Sequence, residues 1–184
     1  MKMNRTMRPR PGPEASRLHA RSAAWLLCAL SLLPWTPAAR AAQPLESLEQ
    51  FPRTALSIRT HSGTEWFSTW VADTPAREEQ GLMYLRWLPA DQGMLFPQSS
   101  PSVMTMWMKN TLIPLDMLFI DVQGRIVYIR QNATPESEEI ITAHVPVKAV
   151  LELAGGLSAQ RGIAVGDQVQ HRLFGTAPMG PVRN

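Results

Sequence analysis

Residues 94–121, MLFPQSSPSVMTMWMKNTLIPLDMLFID, form the longest apolar stretch that follows the N-terminal leader of this chain. A dense set of polar residues interrupts it within eight positions: Lys109, Asn110, Thr111 and Asp116. A polar group that is buried without a partner costs roughly 1–3 kcal/mol, so these side chains must either satisfy one another or line a site. The stretch therefore predicts the centre of the fold, and its polar residues form either a structural network or a ligand site.

Residues 1–41 have the order of a secretory signal peptide. Basic residues precede an apolar run at 23–33, and two prolines and several alanines follow it. The motif Ala39-Arg40-Ala41 predicts cleavage near Ala42, with an uncleaved membrane anchor as the alternative. The run is shorter than the ~20 apolar residues that a membrane span needs, so we expect no span after cleavage. The sequence thus predicts an exported protein, periplasmic or secreted.

The leader accounts for the net positive charge of the chain. Seven of the 18 basic residues and one of the 15 acidic residues lie in 1–41, which leaves 11 basic and 14 acidic residues, a net charge of −3. A nucleic-acid-binding domain needs a basic stripe, which this remainder lacks, so no nucleic-acid partner is expected. The only cysteine, Cys28, lies in the leader, so the exported part would form no disulfide and use no thiol nucleophile.

Short runs rich in β-branched and aromatic residues predict a fold that is α+β but mostly β. We expect one compact domain in which antiparallel hairpins form a small barrel-like sheet with one or two short helices. No βαβ order is evident in the sequence. The expected strands are 54–60, 64–72, 93–96, 103–109, 115–121, 126–130, 147–153 and 168–174, with a helical turn as the alternative at 147–153 and a loop at 98–102. Helices are expected at 76–84 and 157–161, and the first would be capped by Asp73 or Thr74 with Pro75 in its first turn. The predicted boundaries are a signal peptide at 1–41, a linker at 42–52, the domain at 53–175 and a flexible tail at 176–184.

Several motifs in this order resemble the Domain of Unknown Function 192 family. They are Gly81-Leu82-Met83, Gly93-Met94-Leu95-Phe96, Trp107-Met108-Lys109-Asn110-Thr111, Ile113-Pro114-Leu115-Asp116, Val150-Leu151-Glu152 and Gly155-Gly156. The resemblance covers roughly residues 53–174. This sequence departs from the family pattern at Met104 and Met106, where other apolar or aromatic residues are usual. The resemblance implies a compact β-rich fold and often export, but it implies no reaction.

The polar residues of the central stretch are the first candidate site. A turn between two strands would return Asp116 towards Lys109, and an amine, an amide, a hydroxyl and a carboxylate together suit a polar ligand. The alternative is structural, because Asn and Thr are common turn residues and a Lys–Asp pair would fix the turn. The ligand-binding residues predicted from the sequence are Trp107, Lys109, Asn110, Thr111, Asp116 and Glu152.

Glu152 lies between two leucines, and its role has three readings. It is a surface residue, the partner of Lys109, or a member of a carboxylate pair with Asp116. A pair of that kind performs general acid–base catalysis in hydrolases. The sequence leaves open whether the protein is an enzyme, and we assign no catalytic residue.

Met104, Met106 and Met108 alternate along one strand and would share one face of it, opposite Val103, Thr105 and Trp107. Thioethers in this spacing bind Cu(I) in some exported proteins. Methionine is also a common core residue, so the favoured interpretation is a stripe of core residues in which Met106 and Met108 are buried. The isolated histidines His61, His144 and His171 make no zinc motif, so no metal site and no cofactor are assigned. The tryptophans Trp66, Trp70, Trp87 and Trp107 are expected mainly in the core, although aromatic rings also stack on sugars.

The sequence therefore favours an exported, non-enzymatic binding or accessory module of the cell envelope. Its partner would be a small polar ligand or an envelope glycan or peptide, held around the WMKNT and IPLD segments. The alternatives are a hydrolase that uses Asp116 and Glu152, and metal handling by the face of Met104, Met106 and Met108.

Overall fold

The computed structural model describes residues 45–176, which belong to a single structural unit. The predicted signal peptide, the first part of the linker and the end of the tail lie outside these residues. The described strands are β1 Arg53–Arg59, β2 Thr64–Val71, β3 Gln92–Ser102, β4 Thr105–Met106, β5 Leu115–Ile120, β6 Ile126–Ala133, β7 Ile141–Thr142, β8 Val147–Ala154 and β9 Gln168–Gln170. The helices are α1 Pro75–Gln80 and α2 Leu157–Gln160, with 3₁₀ turns at Leu48–Gln50 and Arg172–Phe174.

Seven of these strands form one curled sheet in the order β6-β5-β8-β3-β2-β1-β9, which makes a half-barrel. Its two end strands, β6 and β9, approach each other. Two backbone hydrogen bonds join these edges: the Val169 N–H donates to the Gly124 carbonyl at 2.7 Å, and the Ile126 N–H donates to the Asp167 carbonyl at 3.0 Å. The fold class predicted from the sequence is confirmed. One connection differs from the predicted antiparallel hairpins. Strands β2 and β3 are parallel and α1 lies between them in the chain, so the sheet contains one crossover that was not predicted from the sequence.

The sheet separates two apolar cores, and the alternation along β5 shows the division. Leu115, Met117 and Phe119 belong to a core that also contains residues of the long connections. Leu118 and Ile120 belong to the other, which is built mostly from strand residues together with α2 and the last 3₁₀ turn. We call the first the loop-covered core and the second the sheet-closed core. All six residues of β5 are buried, as expected for a strand that is covered on both faces.

Helix α1 begins where the sequence predicts and ends earlier. The Thr74 side chain accepts from the Arg77 N–H at 3.3 Å, and Pro75 occupies the first turn, so the predicted cap is confirmed. The helix was expected to reach residue 84 but stops at Gln80. Gly81 follows with φ 47°, a left-handed value that glycine adopts readily and that ends the helix.

Three other predicted bounds were wrong. Residues 98–102 are not a loop but the end of β3, which bulges between Pro97 and Ser102. The Lys148 ammonium stabilises this bulge by donating to the Gln98 and Ser99 carbonyls at 2.6 and 2.9 Å. The expected strand at 103–109 is only the two-residue β4, which pairs with β7 in a separate ribbon. The expected last strand ends at Gln170, and a 3₁₀ turn follows it.

None of the helices in the described residues is long and apolar enough to cross a membrane.

Candidate functional site

The segment Trp107-Met108-Lys109-Asn110-Thr111 is a turn that other parts of the chain fix through its backbone. The Met108 N–H donates to the Ser137 carbonyl at 2.9 Å, and the Asn110 carbonyl accepts from the Tyr84 N–H at 2.9 Å. The Thr111 carbonyl accepts from the Glu136 N–H at 3.0 Å. These bonds hold the turn between two distant connections, so the side chains that it exposes have a defined position.

Asn110 and Thr111 serve the turn itself. Asn110 has φ 56°, a left-handed conformation that asparagine tolerates better than most residues. The Thr111 side chain is buried, and its hydroxyl donates to the Lys109 carbonyl at 3.4 Å. The structural alternative for these two residues is therefore the one that the geometry supports.

Lys109 is the member of the group that the turn does not use. Its side chain is half-buried, and its ammonium lies 5.3 Å from the centre of the Trp107 ring. Trp107 is 40% exposed. Among the described residues Lys109 forms no ion pair, with Asp116, with Glu152 or with any other carboxylate. A cation and an exposed aromatic ring thus stand together on a fixed turn.

Asp116 points away from this turn and anchors helix α2. Its Oδ1 accepts from the Asn132 and Gly156 N–H groups, each at 2.8 Å, and its Oδ2 accepts from the Ser158 N–H at 2.8 Å and the Ser158 hydroxyl at 2.5 Å. The side chain is fully buried. The expectation that a turn returns Asp116 to Lys109 was wrong, because both oxygens of the carboxylate accept hydrogen bonds from groups at the start of α2.

Ser158 was missed from the sequence, although a hint was present. It is fully buried in the first turn of α2 and follows the Gly155-Gly156 pair and Leu157. Gly155 lies so close to β5 that a Cβ there would be 2.7 Å from the Pro114 Cβ. A Gly-Gly-Leu-Ser sequence at a helix start indicates close packing and a polar side chain in the first turn. It does not indicate which carboxylate accepts the hydrogen bonds there.

Glu152 lies on the opposite face of the sheet from Asp116. In the pairing of β5 with β8, Glu152 is opposite Met117, whereas Asp116 is opposite Leu153. Directly paired residues share a face and successive residues alternate, so the two carboxylates project to different sides. The carboxylate pair considered above is therefore not formed, and the surface reading of Glu152 is also wrong.

Glu152 is instead buried in apolar surroundings. Its strand neighbours are Met94 on β3 and Met117 on β5, both fully buried, and its own exposure is 4%. Its Oε2 has no hydrogen-bond partner within the described residues. Burial raises the pKa of the Glu152 carboxyl to about 8, which favours the neutral acid in the folded state near neutral pH.

The methionines divide between the core and a surface groove. Met108 is fully buried, but Met104 and Met106 are half-buried, so the prediction of a buried stripe is correct for Met108 and wrong for Met106. The alternation is confirmed, since Val103, Thr105 and Trp107 are exposed. The groove has a volume of about 190 Å³ and is lined by Glu78, Phe96, Gln98, Ser102, Val103, Met104, Thr105 and Met106.

The whole domain matches a known family. The model of the DUF192 family, described as "Uncharacterized ACR", matches residues 57–171. The chain belongs to the DUF192 family. No curated protein matches it.

Two solved structures resemble this DUF192 protein over most of their own length. One, described as a putative transcription regulator from Sinorhizobium meliloti 1021, is 41% identical with a TM-score of 0.65, covering 67% of this chain and 96% of its own. The other, a protein of unknown function from Novosphingobium aromaticivorans DSM 12444, is 36% identical with a TM-score of 0.66, covering 74% and 97%. They confirm the fold without assigning a ligand or a reaction.

The remaining sequence candidates of the DUF192 protein are structural or solitary. His171 is buried; its Nε2 lies 2.8 Å from the Thr54 hydroxyl and its Nδ1 accepts from the Leu173 N–H, so it caps the last 3₁₀ turn. No group of three or more His, Cys, Asp or Glu residues within 45–176 is placed to hold a metal ion. Of the four tryptophans expected mainly in the core, only Trp70 is buried, while Trp66, Trp87 and Trp107 are exposed.

Proposed function

We propose that this DUF192 protein is an exported, non-enzymatic binding module of the cell envelope that binds a carboxylate-bearing glycan at Lys109 and Trp107. The observation that carries the proposal is the ammonium of Lys109, which lies over the exposed Trp107 ring and has no carboxylate partner in the described residues. The cation would bind the ligand's carboxylate, and the aromatic ring would pack on the apolar face of the sugar.

The rigidity of the turn supports a binding role. Backbone bonds from Tyr84, Glu136 and Ser137 fix the turn before any ligand arrives. A surface that is already ordered loses less conformational entropy when it binds, so more of its contact energy remains as affinity.

The surrounding charge favours a small acidic ligand over a nucleic acid. The part of the chain after residue 41 has a net charge of −3, so Lys109 is a local positive site on an acidic protein. A nucleic acid requires many phosphate contacts from lysines and arginines, and affinity arises from their sum. One structural neighbour is described as a putative transcription regulator, but the charge balance of this chain argues against carrying that description over.

The hydrolase alternative is not proposed. It required Asp116 and Glu152 to converge, and these residues lie on opposite faces of the sheet.

Binding is tested with protein purified from cells that express the full chain. Isothermal titration with N-acetylmuramic acid, which carries a carboxylate, is compared with titration with N-acetylglucosamine, which does not. We expect binding of the first only, with loss of binding in Lys109→Met and Trp107→Ala. Trp66→Ala is the matched control, since Trp66 lies on β2 and is 37% exposed, close to the 40% exposure of Trp107.

Stability separates a binding role for Lys109 from a structural one. Lys109→Met should lower the free energy of unfolding in urea by no more than about 1 kcal/mol, because no ion pair is broken and only the contact of the ammonium with the Trp107 ring is lost. A loss beyond about 3 kcal/mol would mean that the ammonium is a buried structural partner. Equal binding of both sugars, or unchanged binding by Lys109→Met, would refute the proposed site.

Export is tested separately. The basic, apolar and small-residue segments of 1–41 support it. N-terminal sequencing of protein from the envelope fraction should begin near Ala42, whereas an intact Met1 chain confined to the cytosol would contradict it.

A further inference from the structure

We propose that the groove beside α1 is a Cu(I) site, in which the thioether sulfurs of Met104 and Met106 and the carboxylate of Glu78 are the ligands. All three residues line the same cavity of about 190 Å³. This site is distinct from the Lys109–Trp107 pair and does not depend on the ligand proposed for that pair.

The two methionines border both the core and the groove. Met104 and Met106 are half-buried, pack against the loop-covered core and also line the groove, whereas Met94, Met108 and Met117 are fully buried. Val103 and Thr105 line the same groove, so it is the length and flexibility of the methionine side chains that let both thioethers turn towards an ion in it. Met108 has no such access, because it is fully buried.

Glu78 supplies the charge that a bare thioether pair lacks. It lies on α1, on another wall of the groove, and its carboxylate forms no ion pair or hydrogen bond to any described residue. Its neighbour Arg77, by contrast, is fully engaged with Glu46 and Asp73 and cannot neutralise it. A monovalent cation in the groove would balance the Glu78 charge.

The donor set selects the kind of ion. Thioethers are soft, uncharged donors that favour Cu(I), whereas Mg²⁺ and Ca²⁺ require several oxygen ligands, and Zn²⁺ prefers imidazole, thiolate and carboxylate. The only cysteine of the chain is Cys28, outside the described domain, so methionines are the soft donors of the domain itself. The ion is bound as Cu(I), and the site requires no change of its oxidation state.

The test is a Cu(I) competition titration of the purified protein, under nitrogen with ascorbate present, against a chromogenic Cu(I) chelator. We expect the wild type to remove one equivalent of Cu(I) from the chelator. The double variant Met104→Leu/Met106→Leu should bind Cu(I) at least about tenfold more weakly, because it lacks both soft donors. The Cu(I) affinity of Glu78→Gln should fall by a smaller factor, because this variant keeps both thioethers. Met108→Leu, a core substitution of similar size, is the matched control and should bind as the wild type does.

A second measurement reads the site directly. With ¹³C-methyl methionine labels, Ag(I), a redox-inert soft ion, should shift the methyl signals of Met104 and Met106 and leave that of Met108 in place. Wild-type protein that takes no Cu(I) from the chelator would overturn the proposal. So would a double variant that is folded by circular dichroism and binds as tightly as the wild type, since the copper would then be held elsewhere, for example by the exposed His61 or His144.

Discussion

Replacing Asp116 should cost more stability than replacing any exposed carboxylate of this chain. The Asp116 carboxylate accepts four hydrogen bonds, three from backbone N–H groups and one from the Ser158 hydroxyl. In Asp116→Ala these donors lose their acceptor. The Ser158 donors are fully buried, so water does not easily take the place of the lost carboxylate. A buried unsatisfied group costs about 1–3 kcal/mol, and partial relaxation makes the sum less than additive.

The expected magnitudes form an ordered series. Asp116→Ala should lower the free energy of unfolding by about 3–5 kcal/mol, a large part of the 5–15 kcal/mol typical of a domain. Asp116→Asn keeps one acceptor oxygen and should cost about 2–3 kcal/mol, since its amide then faces the Ser158 N–H. Ser158→Ala removes one bond to a charged group and should cost about 1–2 kcal/mol.

Urea unfolding followed by circular dichroism and by tryptophan fluorescence measures the series, and coincident curves establish two-state behaviour. Asp121→Ala is the matched control. Asp121 also accepts two backbone bonds, from Gln123 and Arg125, but in an exposed turn where water substitutes, so its loss should stay near 1 kcal/mol. If Asp116→Ala costs no more than Asp121→Ala, the carboxylate is not a buried anchor, and the reasoning that removes it from the ligand site fails.

Two further predictions concern the loop-covered core. Met108→Ala should cost about 2–5 kcal/mol and Met106→Ala clearly less, because only Met108 is fully buried; equal losses in urea unfolding would contradict this. Burial raises the pKa of Glu152 from 4.5 to about 8, so the folded state keeps a proton that the unfolded chain loses. The contribution of this proton to the free energy of unfolding should be complete below pH 4.5. It should fall by up to about 1.4 kcal/mol per pH unit as the pH rises from 4.5 through about 8. Glu152→Gln should flatten this slope in metal-free buffer, and a wild-type profile as flat as that of the variant would show that burial does not hold the proton.

Local patterns predicted the elements that local chemistry decides. The hairpin of β1 and β2 follows from β-branched and aromatic runs around a Gly turn, and α1 begins at Thr74-Pro75 as the sequence indicates. The alternation from Val103 to Met108 also holds, although only Thr105 and Met106 make ladder bonds. These features depend on neighbouring residues, so the sequence contains the information needed to predict them.

The carboxylates were misplaced because their positions depend on distant strands. Asp116 and Glu152 lie on β5 and β8, which become neighbours only after the chain has passed through β6 and β7. A shift of one residue in that pairing would place them on the same face, and no local pattern sets the register between strands so far apart. Likewise Ser158 meets Asp116 across 42 positions, and the Gly-Gly motif shows a tight turn without showing what fills it.

A polar residue in an apolar segment points to a ligand only when the fold leaves its bonding groups unused. Asp116 gives both of its oxygens to the start of α2, Asn110 provides a left-handed turn and Thr111 is buried against the same turn. Lys109 differs, because its ammonium has no carboxylate partner among the described residues. Its contact with the exposed Trp107 ring contributes about 0.5–1 kcal/mol, as is usual for a cation over an aromatic ring at an exposed site. A ligand carboxylate would supply the missing ion-pair partner, which is why the proposed function rests on Lys109 and not on the whole polar cluster.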